Sequence, residues 1–406
     1  MTDKRRILFV DDEPRILHGL RRMLRPMRHE WDCSFAENGR EALDVLDREP
    51  FDVVVADMRM PGMDGAELLM EVATHHPETV RVVLSGQSDE ETVLRAVRHV
   101  HQYLSKPCDM EMLRSTIARA CALSDLLEDD ALKQLVSQLR TLPSLPTLYR
   151  EVEEELRSPD ASAKNVAAIV SKDLGMSAKI LQLVNSAFFG VRQHVSSPNQ
   201  AVILLGLETI KNLVLSVQVF AQLDEASSES LPLEALWTHS MRVGACAKQL
   251  ARAEQVDPRS VDHAFIAGLL HDVGKLVLAV NLPERYDAVL TRTRTEEISL
   301  HEAEREVFGT THAEIGSYLM GLWGLSDAIV ESLASHHAPM KYGGENFTPV
   351  TAVYAANVLV HEACSTEDTQ AVSTMDDGYL TRLGMTERLP AWRAICREAI
   401  EGGEDR

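Results

Sequence analysis

Asp57 closes an apolar run, Val53-Val-Val-Ala56, inside the segment Phe51-Asp-Val-Val-Val-Ala-Asp-Met-Arg-Met-Pro-Gly-Met-Asp-Gly65. Two further acids, Asp11 and Asp12, close an earlier run, Ile7-Leu-Phe-Val10. Short apolar runs ending in acids predict parallel strands buried on both faces. In an open α/β sheet the ligand site lies beyond the carboxyl ends of the strands. Three carboxylates therefore gather in one place, where their repulsion calls for a cation. All-oxygen donors suit Mg2+, which can hold phosphoryl oxygens in its remaining positions.

Two later signals join this constellation. Val80-Arg-Val-Val-Leu84 reads as another strand and ends in Ser85-Gly86, and Tyr103-Leu-Ser-Lys106-Pro107 reads as a short strand entering a Pro turn. A hydroxyl can hydrogen-bond a phosphoryl oxygen, and a lysine can serve as its point-charge partner. With strands expected at about 6–10, 32–36, 52–57, 80–84 and 101–104, residues 1–122 resemble a response-regulator receiver domain. The resemblance implies a doubly wound, five-stranded parallel sheet of flavodoxin type. It makes Asp57 the phospho-acceptor, places Mg2+ on Asp11, Asp12 and Asp57, and sets Ser85 and Lys106 against the phosphoryl group. Tyr103 is then the aromatic switch that reorients with Ser85, and a histidine kinase is the phosphodonor.

The 406 residues suggest two or three domains, and the net charge of −21 is unevenly spread. Residues 1–122 carry −5 and the remainder −16. Without a clustered basic patch, direct nucleic-acid binding is not expected. Six scattered cysteines (Cys33, Cys108, Cys121, Cys246, Cys364 and Cys396) form no C-x-x-C pair and read as reduced thiols. The N-terminus has no signal-peptide pattern, and no stretch reads as the roughly 18 apolar residues of a membrane span. These features predict a soluble cytoplasmic protein.

Beyond the receiver, residues 123–140 carry apolar positions at helical spacing, as an ordinary packed connector or as a signalling helix paired in a homodimer. Thr141-Leu-Pro-Ser-Leu-Pro146 then breaks the helix twice, because each proline removes a donor and restricts its predecessor. The pattern after it is almost entirely helical, with helix starts marked by Asp160 and Asp173. Asp224-Glu-Ala-Ser-Ser-Glu-Ser230 reads as a polar loop. Asn185-Ser186 reads as a cap or turn, Trp237 as a packing residue, and residues 366–406 as a closing helical pair.

Histidines recur through this helical region: His239, His271 beside Asp272, His312, and His336 beside His337. Imidazoles and a carboxylate from separate helices can form a first-row metal site with one bridging anion. The same groups can also be hydrogen-bonded residues lining a helical core. The segments Asp173-Leu-Gly-Met-Ser-Ala-Lys-Ile-Leu-Gln-Leu-Val-Asn-Ser-Ala-Phe-Phe-Gly190, Ala201-Val-Ile-Leu-Leu-Gly206 and Gly268-Leu-Leu-His-Asp-Val-Gly-Lys275 resemble the HDOD family, a relative of the HD phosphohydrolases. The resemblance covers residues 141–365. It implies an all-α output domain in which His239, His271, Asp272, His312, His336 and His337 are the potential ligands of a divalent transition metal. Asn357 stands where an active HD site closes with Asp, and no Gly-Tyr-Pro follows the paired histidines. The expectation is a response regulator whose output contacts a downstream signalling protein without catalysis. The alternative is a metal-dependent phosphohydrolase, such as a cyclic-dinucleotide phosphodiesterase.

Overall fold

The computed structural model describes residues 4–85, 100–106, 110–124, 132, 135–136, 139, 143–144, 146–158, 160–185, 195–211, 221–222, 233–296, 298–341, 344, 346–364 and 375–404. Five strands, β1 (Arg5–Val10), β2 (Trp31–Ala36), β3 (Val53–Asp57), β4 (Val80–Ser85) and β5 (Gln102–Ser105), form a fully parallel sheet in the order β2-β1-β3-β4-β5. The apolar runs supply its middle: Ile7 to Phe9 and Val53 to Ala56 have no exposed surface. Helices α1 (Pro14–Met23), α2 (Gly39–Leu46), α3 (Gly65–His75) and α4 (Met110–Ser124) complete the described part of this layer. A capping box between Asp64 and Glu67 fixes the start of α3 just after Asp57.

Among the described residues, the regular structure of the second half is helical except for two two-residue strands, β6 (Pro143–Ser144) and β7 (Ala221–Gln222), which pair in parallel. Its first helices are α5 (Pro146–Arg157), α6 (Ala163–Val170), α7 (Leu174–Val184), α8 (Pro198–Leu205) and α9 (Leu207–Lys211). Asp173 caps α7 as expected, through Met176 N at 2.8 Å. Asp160 does not start α6: the side chain accepting from Asn165 N belongs to Ser162. Ser is as good an N-cap as Asp, and two such residues within three positions made the choice ambiguous.

The remaining helices are α10 (Leu233–Ala253), α11 (Pro258–Leu270), α12 (Val273–Asn281), α13 (Pro283–Glu296), α14 (Leu300–Phe308), α15 (His312–Leu322), α16 (Asp327–Ser335), α17 (Pro349–Cys364), α18 (Asp377–Arg382) and α19 (Leu389–Glu404). The closing pair is part of this body. Trp392 is fully buried, donates to Glu254 Oε1 at 2.7 Å, and meets the Phe347 ring edge-on at 5.6 Å.

One stretch, Pro258–Asn281, is long and apolar enough to cross a membrane by length and composition, which corrects the expectation that none exists. Its most apolar window is 83% buried within the fold, and core burial accounts for the composition. Most of the 123–140 segment, and with it the proposed dimer helix, lies outside the described residues, as does the 224–230 loop.

Candidate functional site

Parallel pairing carries the ends of β1 and β3 to the same edge of the sheet. Carboxylate oxygens of Asp11, Asp12 and Asp57 lie within 4.8 Å of one another there. Lys106, just past the end of β5, reaches across with its Nζ 2.6 Å from Asp11 Oδ2 and 2.8 Å from Asp57 Oδ1. Burial pushes the Asp57 carboxyl up, and Lys106 offsets only part of that. Burial lowers the Lys106 pKa, but Asp11 and Asp57 more than reverse the effect and hold the ammonium charged. Three carboxylates against one ammonium leave a deficit of positive charge. That deficit and the all-oxygen donor set fit Mg2+.

Ser85 ends β4 opposite Ser105 of β5, but its side chain lies outside the described residues. Tyr103 lies on β5 with its ring buried and its hydroxyl without a hydrogen-bond partner among the described residues. Gly65 went unremarked in the sequence and is indispensable to this geometry: a Cβ there would sit 2.1 Å from the Asp57 carbonyl oxygen. The signal was the Gly after a capping Asp, eight positions beyond Asp57.

The histidine set also converges. Helix α11 ends at His271, and Asp272 begins α12; His239 comes from α10, His312 from the start of α15, and His336 and His337 follow α16. Asp272 is the hub. Its oxygens lie 3.3 Å from His271 Nε2, 3.2 Å from His312 Nε2, 3.7 Å from His336 Nε2 and 3.8 Å from His239 Nε2. His337 Nε2 is 3.0 Å from His312 Nε2. Asn357 stands at the same place, with its Oδ1 3.0 Å from His239 Nε2.

Burial holds the pKa of His239 down to about 3 and those of His336 and His337 well below the usual value. Burial opposes a charge on Asp272 as well, yet His271 and Lys275 keep its carboxyl well below the usual range. His312 differs. Burial acts against its positive charge, but Glu304 and Asp272 lift its pKa above the ordinary value. The site is therefore arranged to hold a positive charge between two carboxylates.

Two tautomers are fixed by the backbone. His271 Nδ1 donates to Gly268 O and His336 Nδ1 to Leu333 O, each at 2.7 Å, so both Nε2 lone pairs point inward. Buried His271 Nε2 and Asp272 Oδ1 lack hydrogen-bond partners in the described structure. Unsatisfied buried acceptors on neighbouring side chains fit a divalent transition metal with nitrogen and carboxylate donors.

Several participants escaped the sequence reading. Glu304, fully buried on α14, accepts from His312 Nδ1 at 2.6 Å and from His312 N at 2.9 Å. A carboxylate behind a ligand imidazole orients it and raises its basicity. Lys275 donates to Asp272 Oδ2 at 2.6 Å. The His361 ring lies tilted 4.5 Å from that of His239, and His301 stacks 4.6 Å from His337. Asn185, in contrast, is structural: its side chain clips the backbone of Val195 through bonds of 2.6 and 2.7 Å. Trp237 is buried and donates to Asp173, also a packing role.

The response-regulator receiver family model matches residues 7–118, and the HDOD domain model matches residues 142–339. The chain belongs to the response regulators that join a receiver to an HDOD domain. An uncharacterised protein of Treponema pallidum is 27% identical over 67% of this chain and 50% of its own length. The response regulator protein PilR of Pseudomonas aeruginosa is 33% identical over 32% of this chain and 28% of its own. The chain thus spans half or less of the length of these curated relatives. The crystal structure of the MmoQ response regulator of Methylococcus capsulatus aligns with 63% of this chain and 98% of its own, at 25% identity and a TM-score of 0.48.

Proposed function

We propose that this receiver–HDOD protein is a phosphorylation switch whose output acts through protein–protein contact. A histidine kinase supplies the phosphoryl group to Asp57. Asp11 and Asp12 hold Mg2+ with it, Lys106 and Ser85 contact the phosphoryl oxygens, and Tyr103 responds. Added charge beside Lys106 favours one of two receiver states and shifts the population between them.

One observation carries the reading: β5 is tied at one end to the acidic site and at the other to the helical domain. Lys106 follows its last residue. At its start, Gln102 Nε2 donates to Gly321 O at 3.1 Å, and Gln182 Nε2 of α7 donates to His101 O at 3.2 Å. Gly321 lies in the last turn of α15, the helix that begins with His312. Eleven residues of α-helix span about 16 Å, so one rigid rod joins the receiver contact to the histidine cluster. Replacement Gln102→Ala should remove about 1 kcal/mol from this contact while leaving Asp57 labelling intact. A lower midpoint in chemical unfolding of the whole chain is the expected reading, and an unchanged midpoint would count against the contact.

The HDOD site is read as a metal holder with a stabilising role. His271, Asp272, His312 and His336 are no more than 1% exposed, as in a closed structural site, and a metal there would supply folding energy. The phosphohydrolase reading has one observation in its favour, a cleft of about 350 Å³ beside His239, lined by Ala235, Thr238, Arg242, Val360 and Cys364. Asn357 offers no negative charge there. Incubation of the metal-loaded protein with cyclic dinucleotides and generic phosphoesters should show no turnover, and hydrolysis abolished by His271→Ala would replace the contact reading with the enzymatic one.

A further inference from the structure

Asp272 turns its two oxygens toward different company. On the Oδ1 side stand three imidazoles. His312 Nε2 is 3.2 Å away and His336 Nε2 3.7 Å. The imidazole nitrogens are mutually close as well, His312 to His336 at 3.3 Å and His312 to His337 at 3.0 Å. Four ligands about 2.0–2.1 Å from a tetrahedral metal lie about 3.3–3.4 Å from one another. The observed separations, 3.0 to 3.7 Å, scatter around that value. Glu304 takes the Nδ1 proton of His312 and Leu333 O that of His336, which leaves Nε2 of both rings facing Asp272.

The Oδ2 side is built differently. The Lys275 Nζ already lies on that oxygen, at 2.6 Å. His239 Nε2 is 3.8 Å away and is engaged with Asn357 Oδ1 at 3.0 Å. An amide oxygen only accepts, so the proton of that bond is on His239 Nε2, the atom that would have to bind a metal. Asn357 itself is neutral. His271 Nε2 keeps its lone pair on this side, 3.3 Å from Oδ2.

We propose that the HDOD domain holds a single transition metal on the Oδ1 side, with His312, His336, His337 and Asp272. Lys275 and the His239–Asn357 pair occupy the place of a second cation. The proposal rests on the metal-holding reading above and refines it. Three nitrogens and one carboxylate favour zinc or cobalt over magnesium.

The test is metal content of the intact chain after reconstitution with Co2+ and gel filtration, read by elemental analysis and by the visible absorption of four-coordinate cobalt. Wild type should retain about one equivalent in the tetrahedral geometry. His337→Ala, at the partly exposed edge of the cluster, should lose it, and His239→Ala should keep it, with circular dichroism confirming that both are folded. The double replacement Lys275→Met with Asn357→Asp should raise the content to about two equivalents, because it frees Oδ2 and restores a carboxylate. Folded wild type with no retained cobalt contradicts the metal-holding reading itself. About two equivalents in wild type, loss in His239→Ala with retention in His337→Ala, or a double variant still at about one each overturn the one-sided assignment alone.

Discussion

Protein carrying Asp57→Asn should take no label from a small-molecule phosphodonor in Mg2+, whereas wild type labels on that residue. Asp57 ends β3 at the centre of the carboxyl edge, with Lys106 Nζ 2.8 Å from its Oδ1 and Asp11 and Asp12 beside it. Asn keeps the shape and can still accept from Lys106, so the fold is expected to survive while the nucleophilic oxygen is lost. Labelling that persists on Asp11 or Asp12 would contradict the assignment. Asp12→Ala should give the milder result, weaker Mg2+ dependence with Asp57 still labelled.

The same replacement should stabilise the metal-free protein at neutral pH. Burial raises the Asp57 pKa, so the folded chain holds that proton more tightly than the unfolded one. The proton's contribution is complete below the unfolded carboxylate value, about pH 4, and is lost as pH rises through the raised folded value. Asn carries no such penalty. Its advantage over Asp in thermal unfolding should therefore grow with pH across that window, and an advantage that shrinks would be the wrong sign.

A second large effect is expected from Gly274→Ala. A Cβ on Gly274 would lie 1.9 Å from the carbonyl oxygen of His312, and one on Gly316 would press on Gly274 N at 3.2 Å. Helices α12 and α15 meet through these glycines, and at Gly274 the nearest atoms are all backbone of His312, so no side chain can yield there. Overpacking of a core typically costs about 1–3 kcal/mol, and a clash relieved only by separating two helices belongs at or beyond the top of that range. Because Asp272 and His312 sit on opposite sides of this contact, retained metal should fall as well. Gly309→Ala is the control. Its surroundings are open, but its φ of 73° is left-handed, so the loss should be only about 1 kcal/mol and the metal should stay. Equal losses in the two variants would refute the packing argument.

The parallel sheet was legible because its central strands β1 and β3 are buried on both faces and are therefore spelled as apolar runs with acids at their carboxyl ends. Their observed limits lie within one or two residues of expectation at β1 to β5. The six metal candidates were likewise legible, since His and Asp in a fixed order on separate helices are unusual enough to stand out, and the five histidines gather around Asp272.

Other features carry no residue-type signal. Glu304 is one of many glutamates, and only its burial behind His312 distinguishes it. Lys275 was visible as the last letter of a motif, but its position on Asp272 Oδ2 depends on how α12 begins. The contact of Gln102 with Gly321 joins residues far apart in sequence through a backbone carbonyl, which any residue could supply. Gly65 and Gly274 act by what they lack, and that role emerges only when the neighbouring backbone is in place.

The central claim is that the state of Asp57 reaches the helical domain through β5. Amide hydrogen exchange of the intact chain, with and without beryllofluoride and Mg2+ as a phosphoryl mimic, tests it most directly. The account predicts altered protection in β5, in Leu174–Val184 and in His312–Leu322, with all three changes absent in Asp57→Asn. Full occupancy of Asp57 with altered protection confined to the receiver would contradict it.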